Sequence, residues 1–272
     1  MIPVGRAFHK MSGSGNDFVM IDATTEPPGP LSNPEIVQRV CARGTGVGAD
    51  GIVFLEPSAV GAVRLVYLNA DGSRAEFCGN ATLCTARLAV ELGIAPAQGF
   101  DIETDSGLVA ARIDGDQPEI DLQPVTEVRP AEPLDLQAGE RRIGFASVGV
   151  PHLVILCDDV ATVDVVGRGR PLRHHLTMTI GANVNFVSRA QGGRWRVRTY
   201  ERGVEAETLA CGSGSVATAI LLTMWGEATG DVEVVTSSGR VLGVRLSARE
   251  SMWKPRLSGD ARVVYKGQLS ET

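Results

Sequence analysis

Glu76-Phe77-Cys78-Gly79-Asn80 and Leu209-Ala210-Cys211-Gly212-Ser213 each place a cysteine and a glycine directly before a helical pattern, and this repeat indicates how the chain folds. In both halves of the chain, 15 residues separate this cysteine from the glycine that closes the helical pattern. A chain that repeats itself at half its length should fold as two similar domains. We therefore expect one thiol from each domain to face the other across a cleft.

The composition narrows the class of protein. The chain has 272 residues, enough for two domains, and its 43% hydrophobic and 21% charged residues are typical of a globular protein. A net charge of −6 argues against nucleic acid and membrane partners. Neither a secretion signal nor a run of ~18 apolar residues is present in the sequence. Five cysteines, an odd number, fit a reducing compartment, so we predict a cytoplasmic protein.

Apolar periodicity predicts the elements. Helices are expected at 80–92, ending at Gly93, and at 213–225, where the pattern is apolar on nearly every side. Strands are expected at 19–21, 51–55, 63–68, 100–113, 119–122, 153–156, 184–187, 195–200 (as a sheet edge) and 261–265.

Together these elements predict mixed sheets wrapped around a central helix in each half. We place the N-terminal half at 1–123 and the C-terminal half at 124–262, with a C-terminal strand at 263–272 joining the first half. The proline-rich and acidic segment 124–140 is the predicted interdomain linker.

The two cysteine motifs carry the chemistry. A helix N-terminus stabilises a thiolate, and glycine lets backbone N–H groups approach an anion such as a carboxylate. The other cysteines, Cys41, Cys84 and Cys157, are predicted to be buried core thiols. Five residues separate Cys78 from Cys84, which is not a zinc spacing, and no histidine pair completes a tetrahedral set. No lysine stands in a pyridoxal phosphate context either, so we expect neither metal nor cofactor.

Two opposed thiols suit a stereoinversion. Inverting an α-carbon without a cofactor needs a base on one face and an acid on the other, which a thiolate and a thiol can supply. Backbone amides aimed at the carboxylate can stabilise the developing charge. Glu201 and Arg202, which precede the second cysteine, can clamp an ammonium group and a carboxylate.

Six segments resemble the diaminopimelate epimerase family, in the same order and over nearly the whole chain. They are Gly15-Asn16-Asp17-Phe18, Gly46-Val47-Gly48-Ala49-Asp50-Gly51, Asn69-Ala70-Asp71-Gly72-Ser73, Glu76-Phe77-Cys78-Gly79-Asn80, Asn183-Val184-Asn185-Phe186, and the run from Glu201-Arg202-Gly203 to Ala210-Cys211-Gly212-Ser213-Gly214. The resemblance implies an α/β (α+β) fold of two pseudo-symmetric domains, each a mixed, mostly antiparallel sheet or barrel around a central helix. It also implies a cofactor-independent homodimeric isomerase that interconverts LL- and meso-2,6-diaminopimelate, on the route to lysine and peptidoglycan.

The resemblance also assigns roles to individual residues. Cys78 and Cys211 correspond to the acid/base pair, and His152 to a histidine near the thiols. Residues corresponding to those that bind the reacting carboxylate are Gly79, Asn80, Gly212 and Ser213. Residues corresponding to those that hold the rest of the substrate, mostly its distal end, are Asn16, Asn69, Asn183, Glu201 and Arg202.

Four positions depart from the family pattern and keep other functions open. Val150 stands where the family often has a substrate-binding asparagine, Ala81 and Leu83 replace a glycine and an arginine, and Gly44 replaces a histidine. One alternative is a related amino-acid racemase, for example one acting on histidine. A second is a redox protein that joins its two thiols reversibly, although the sequence lacks a CxxC motif.

Overall fold

The computed structural model describes residues 3–249 and 252–270. Residues 1–2, 250–251 and 271–272, which belong to the predicted halves and the predicted C-terminal strand, lie outside the described residues. The chain divides into two compact units. The first contains the described residues up to Ile120 and those from Ser258 onward, and the second runs from Asp121 to Leu257.

Strands make up most of the structure. They are β1 (Ala7–Gly13), β2 (Asn16–Asp22), β3 (Gly51–Glu56), β4 (Val63–Asn69), β5 (Arg74–Ala75), β6 (Phe100–Thr104), β7 (Gly107–Asp114), β8 (Gln117–Asp121), β9 (Val128–Arg129), β10 (Glu140–Val148), β11 (Val150–Cys157), β12 (Asn183–Arg189), β13 (Trp195–Glu201), β14 (Ala206–Thr208), β15 (Val232–Val235), β16 (Val241–Arg249), β17 (Met252–Gly259) and β18 (Ala261–Gln268). The α-helices are α1 (Pro34–Cys41), α2 (Gly79–Glu91), α3 (Val165–Arg173) and α4 (Gly212–Met224).

The first unit is a mixed sheet with two parallel contacts. β1 pairs antiparallel with β2 and with β18, and β2 pairs parallel with β3. β3 and β4 are antiparallel, β4 runs parallel to β6, and β6, β7 and β8 form an antiparallel meander. Because parallel neighbours need a crossover, α1 lies between β2 and β3, and α2 lies between β4 and β6.

The second unit repeats this strand order. β10 and β11 are antiparallel, β11 and β12 are parallel, and β12 and β13 are antiparallel. β13 then runs parallel to β15, which pairs antiparallel with β16. α3 and α4 occupy the same two crossovers as α1 and α2. The strand order thus carries the repeat that the two cysteine segments predict.

Each unit buries its strands on both faces. In β2, Val19 and Ile21 pack in a cluster with Val37 of α1, whereas Phe18 and Met20 are also fully buried. Successive strand residues point to opposite faces, so Phe18 and Met20 face away from α1, and α2 contacts β2 within the same unit. The second unit follows this arrangement, with β11 in contact with α4 and in one cluster with residues of α3.

The two central helices confirm the sequence prediction to within one residue at each end. Nearly all of α4 is buried, as its apolar pattern predicts, and α4 packs against β10, β11, β12 and β16. Gly93 and Gly226 follow the helix ends with φ of +71° and +73°. This left-handed conformation favours glycine, so each glycine stops its helix at the same distance from the cysteine.

Three local predictions are wrong. The predicted strand 100–113 is a hairpin of β6 and β7 with a turn between them. The predicted edge strand 195–200 is interior, because β13 pairs on one side with β12 and on the other with β14 and β15. The predicted linker 124–140 packs within the second unit, where β9 pairs with β10 and Trp225 Nε1 donates to Pro130 O at 2.7 Å.

Among the described residues, no helix is both long enough and apolar enough to cross a membrane.

Candidate active site

Cys78 and Cys211 occupy equivalent places in the two units. Each is the N-cap of its helix, α2 or α4, with an extended backbone (φ −144°, ψ 113° and φ −136°, ψ 109°). Both side chains are half-buried, and Gly79 and Gly212 are the first helical residues. Backbone N–H groups at a helix start lack intrahelical acceptors, so each thiol lies beside donors suited to an anion.

The surroundings of the Cys211 thiol are well defined. Its Sγ accepts a hydrogen bond from Gly214 N at 3.4 Å and lies 3.6 Å from Ser213 Oγ. The Gly214 N–H donor favours the thiolate over the thiol, whereas in the contact with Ser213 either atom can be the donor. Cys78 differs, because its side chain accepts no capping hydrogen bond within the described part of α2.

A buried chain of polar side chains stands behind Ser213. Ser213 Oγ lies 3.0 Å from His152 Nε2, and His152 Nδ1 lies 3.2 Å from Asn185 Nδ2. His152 is fully buried, and burial together with the positive charge of Arg202 lowers the pKa of its imidazole to about 3. His152 is therefore neutral at physiological pH, so its imidazole carries no extra proton that it could donate.

The first unit builds a comparable chain from amide and carboxylate groups. Asn80 Nδ2 donates to Asn16 Oδ1 at 2.6 Å, and Asn16 Nδ2 donates to Asp50 Oδ2 at 3.0 Å. Asn69 ends β4 opposite Gly51, the residue that follows Asp50. The structure thus joins Asn16 and Asn80 directly and places Asn69 on the neighbouring strand, opposite the residue that follows Asp50.

Charged residues hold this amide chain in place. Arg43 binds Asp17 at 2.6 Å and Asp50 at 2.8 Å, and the buried Lys10 ammonium lies 2.7 Å from Asp17. Burial favours the protonated form of Asp17, but the hydrogen bonds and charges of Arg43 and Lys10 hold the pKa of its carboxyl below the ordinary value. Asp50 therefore faces Asn16 from a fixed position.

Asn183 and Arg202 also meet in the second unit. Asn183 is buried, and its Oδ1 accepts a hydrogen bond from Arg202 N at 2.8 Å. Arg202 is half-buried as a residue, and its guanidinium donates to Ile180 O at 3.2 Å in an exposed contact. Since a guanidinium has five N–H donors, this contact leaves it able to bind a carboxylate. Glu201 ends β13 next to it and is half-buried.

The cysteines outside the motifs are core thiols, as predicted. Cys41, Cys84 and Cys157 are buried. Burial raises the pKa of Cys41 and Cys157 to about 12 and raises that of Cys84 well above its ordinary value. These three thiols are not suited to proton transfer near neutral pH.

The positions that depart from the family pattern lie in two kinds of environment. Ala81 and Leu83 are fully buried in α2. Val150 is half-buried at the start of β11, and Gly44 lies in an exposed turn. Val150 lies two residues from His152, and Ala81 directly follows Asn80.

Sequence reasoning missed the residues that support the site. Asp50 and Asn185 fall inside quoted motifs, yet nothing in the sequence separates them from their neighbours, and Lys10 and Arg43 lie outside every motif. Their roles depend on contacts between strands that are distant in sequence. No group of three or more His, Cys, Asp or Glu side chains suited to a metal ion occurs within residues 3–249 and 252–270.

Comparison with known proteins gives a consistent result. Residues 8–127 and 144–250 match the family model described as diaminopimelate epimerase. A diaminopimelate epimerase from Gemmatimonas aurantiaca is 48% identical, over 97% of this chain and 99% of that protein. One from Aquifex aeolicus is 38% identical, over 97% and 98%.

Solved structures show the same fold at low sequence identity. A phenazine biosynthesis protein of the PhzF family from Bacillus anthracis superposes with a TM-score of 0.73 at 15% identity, over 99% of this chain and 100% of that chain. A hydroxyproline epimerase from Agrobacterium vitis, solved with bound trans-4-hydroxy-L-proline, gives 0.71 at 18% identity, over 98% and 93%. The predicted α+β fold is confirmed.

Proposed function

This chain belongs to the diaminopimelate epimerase family, and we propose that it interconverts LL- and meso-2,6-diaminopimelate without a cofactor. The observation that carries the proposal is the duplicated arrangement of Cys78 and Cys211, each capping a central helix beside glycine. Sequence similarity to diaminopimelate epimerases along nearly the whole chain supports the choice of substrate. The reaction supplies a precursor of lysine and peptidoglycan.

In the proposed reaction, one cysteine thiolate removes the proton from the α-carbon of the substrate. The other cysteine, as a thiol, donates its proton to the opposite face of the planar carbanion. The configuration is inverted, and the two sulfurs exchange protonation states. The Gly214 N–H donates to the Cys211 sulfur and favours its thiolate, so we assign Cys211 as the base in one direction and Cys78 as the acid.

The α-proton of an amino acid is very weakly acidic, so the site must stabilise the carbanion. We assign this role to the backbone N–H groups at the starts of α2 and α4, at Gly79-Asn80 and Gly212-Ser213, which would bind the reacting carboxylate. Because these donors are fixed by the helices, they need no rearrangement as charge develops.

The substrate carries a second amino-acid head, which needs its own recognition. We assign the distal carboxylate to Arg202, whose guanidinium can donate two parallel hydrogen bonds to the two carboxylate oxygens. We assign the distal ammonium to Glu201. Asn183, which holds the Arg202 backbone, and Asn16 and Asn69 in the first unit supply further hydrogen-bonding groups. His152 acts indirectly, through Ser213.

We also propose that the enzyme is a cytoplasmic homodimer in which both halves of each chain take part. The predicted halves 1–123 and 124–262 would each supply one thiol, and the family resemblance favours a homodimer. A reaction that needs reduced cysteines fits the cytoplasm. Static light scattering of the purified protein tests the homodimer, which a monomeric mass would contradict.

Proton exchange in deuterated water tests the function directly. With LL-diaminopimelate, we expect deuterium at the α-carbon and formation of the meso isomer, both seen by NMR. Cys78→Ser and Cys211→Ser should each lose epimerisation, because a serine hydroxyl is far too weak an acid to supply the anion. Cys157→Ser, the same change at a buried core thiol, should keep turnover.

Parallel assays on common L-amino acids, histidine included, separate the alternatives. Turnover of one of them without turnover of diaminopimelate would show a racemase with another substrate. A redox protein would incorporate no deuterium into any of them.

A further inference from the structure

We propose that Asn185, which has no part in the reaction steps above, is a positioning residue that makes the Ser213 hydroxyl a donor to Cys211. It does so by fixing which ring nitrogen of His152 carries the proton. This inference rests on the proposed role of Cys211 as the base.

The orientation of the Asn185 amide is fixed by two neighbours. One amide atom lies 2.9 Å from the backbone oxygen of Leu153, which can only accept, so this atom is the NH₂ group. The other atom is the oxygen, which accepts from Thr199 Oγ1 at 2.9 Å. All of these groups are buried, so water does not compete for them.

The amide orientation decides the tautomer of His152. The same NH₂ group lies 3.2 Å from His152 Nδ1, so Nδ1 must accept its second hydrogen. A neutral imidazole with an unprotonated Nδ1 carries its proton on Nε2. The very low pKa of His152 keeps the ring neutral, so this proton assignment holds over the physiological range.

The tautomer in turn sets the direction of the Ser213 hydroxyl. His152 Nε2–H donates to Ser213 Oγ at 3.0 Å, so the hydroxyl proton must point away from the ring. Cys211 Sγ lies 3.6 Å from the same oxygen. The hydroxyl thus donates to the thiolate. In the opposite tautomer Ser213 would donate to the ring and turn its lone pairs toward the sulfur.

The start of α4 is built around this amide. A side-chain carbon at Gly214 would lie 2.3 Å from Asn185 Oδ1, so the helix can reach this position only with glycine. Gly214 N also donates to Cys211 Sγ. The same close approach therefore places both donors to the sulfur.

The first test is the protonation state of the wild-type imidazole. ¹⁵N-edited NMR of the histidine-labelled protein, with the His152 signals assigned through His152→Gln, distinguishes the two tautomers. We expect His152 to be protonated at Nε2. Protonation at Nδ1 would overturn the proposal, whatever the variants do.

The second test compares variants by the rate at which iodoacetamide alkylates Cys211 at pH 7, resolved from Cys78 by mass spectrometry. Ser213→Ala should slow alkylation of Cys211 about tenfold, since it removes a hydrogen bond to a charged group, and should leave Cys78 unchanged. Asn185→Leu, of similar volume, should move part of the His152 proton to Nδ1 and slow Cys211 as well. The double variant should be no slower than Ser213→Ala alone.

Thr199→Val is the matched control, because it deletes a buried hydrogen bond of the same chain but leaves Leu153 O to orient the amide. It should keep the wild-type tautomer. A shifted tautomer in Thr199→Val, or an unchanged Cys211 rate in Ser213→Ala, would contradict the proposal. The tautomer of His152 and the alkylation rate of Cys211 are both measured without substrate. Failure to epimerise diaminopimelate would therefore contradict the proposed function but would not decide whether Asn185 orients the Ser213 hydroxyl.

Discussion

Among single residues, Arg202 offers the sharpest test of the proposed substrate. If Arg202 binds the distal carboxylate, Arg202→Ala should lower kcat/KM for LL-diaminopimelate. The loss of transition-state stabilisation should be about 3 kcal/mol, because a desolvated carboxylate loses its partner. Arg202→Lys should also be poor, since an ammonium cannot make the paired hydrogen bonds of a guanidinium. Steady-state kinetics measure both effects.

Arg194→Ala is the matched control for this experiment. Arg194 is an exposed arginine of the same unit that pairs with Glu233 at 2.7 Å, so its loss should leave kcat/KM unchanged. An Arg202→Ala enzyme with wild-type kinetics on diaminopimelate would show that the distal head binds elsewhere.

The buried His152 should make the free energy of unfolding depend on pH. Its folded pKa of about 3 is below the ordinary 6.5, so below pH 6.5 the unfolded chain binds a proton that the folded chain does not. The free energy of unfolding should therefore fall by roughly 1.4 kcal/mol per pH unit as the pH drops from 6.5 toward 3. His152→Gln removes this titration, so its stability should depend less on pH.

Tryptophan fluorescence during urea unfolding can isolate the effect. All three tryptophans, Trp195, Trp225 and Trp253, lie in the second unit with His152. His9, whose pKa is also lowered by burial, lies in the first unit. Between pH 6.5 and pH 5, where carboxylates contribute little, equal slopes for wild type and His152→Gln would refute the assignment.

At the scale of elements, the N-terminus of α4 depends on the absence of a side chain at Gly214. Alanine normally stabilises a helix interior by about 1 kcal/mol relative to glycine. Here its Cβ would meet Asn185 Oδ1 at 2.3 Å and Cys211 Sγ at 3.2 Å. Overpacking of this kind costs roughly 1–3 kcal/mol, so Gly214→Ala should lower both the melting temperature and turnover.

Gly226→Ala tests the other end of the same helix. Gly226 has φ of +73°, but nothing lies within 4 Å of an added Cβ. The change should cost about 1 kcal/mol of stability through backbone strain while turnover persists. A Gly214→Ala enzyme as active as Gly226→Ala would show that α4 tolerates displacement at its N-terminus.

Elements were predictable from the sequence where the determining forces are local. The spacing from cysteine to glycine located α2 and α4 to within one residue, because capping and periodicity act over one or two turns. The interior position of β13 was not predictable, because its alternating pattern reports a half-buried face and not the number of neighbouring strands. Asn185 and Asp50 were missed for the same reason, since partners distant in sequence define their roles.

For the whole molecule, the proposed reaction gives the repeat a chemical purpose that one unit alone could not serve. A single thiol reaches one face of a planar carbanion, so inversion requires a second thiol at the same carbon. Two copies of one unit supply two thiols with similar helix starts, yet with different side-chain support, the His152 chain behind one and the Asp50 chain behind the other. In the proposed reaction, this difference would let one sulfur be a thiolate while the other is a thiol.

The distance between the Cys78 and Cys211 sulfurs in the working enzyme can be tested by cross-linking. The proposed reaction requires both sulfurs to approach one α-carbon to roughly 3–3.5 Å, which would bring them within reach of a short bifunctional thiol reagent such as dibromobimane. We expect a Cys78–Cys211 cross-link within one chain, found by peptide mapping on a band of monomer mobility. Diaminopimelate should slow its formation, Cys78→Ser should prevent it, and Cys157→Ser should leave it unchanged. A link only between chains, or separate labelling of each thiol without any link, would contradict the two-base reaction, because no single α-carbon could then contact both sulfurs of one chain.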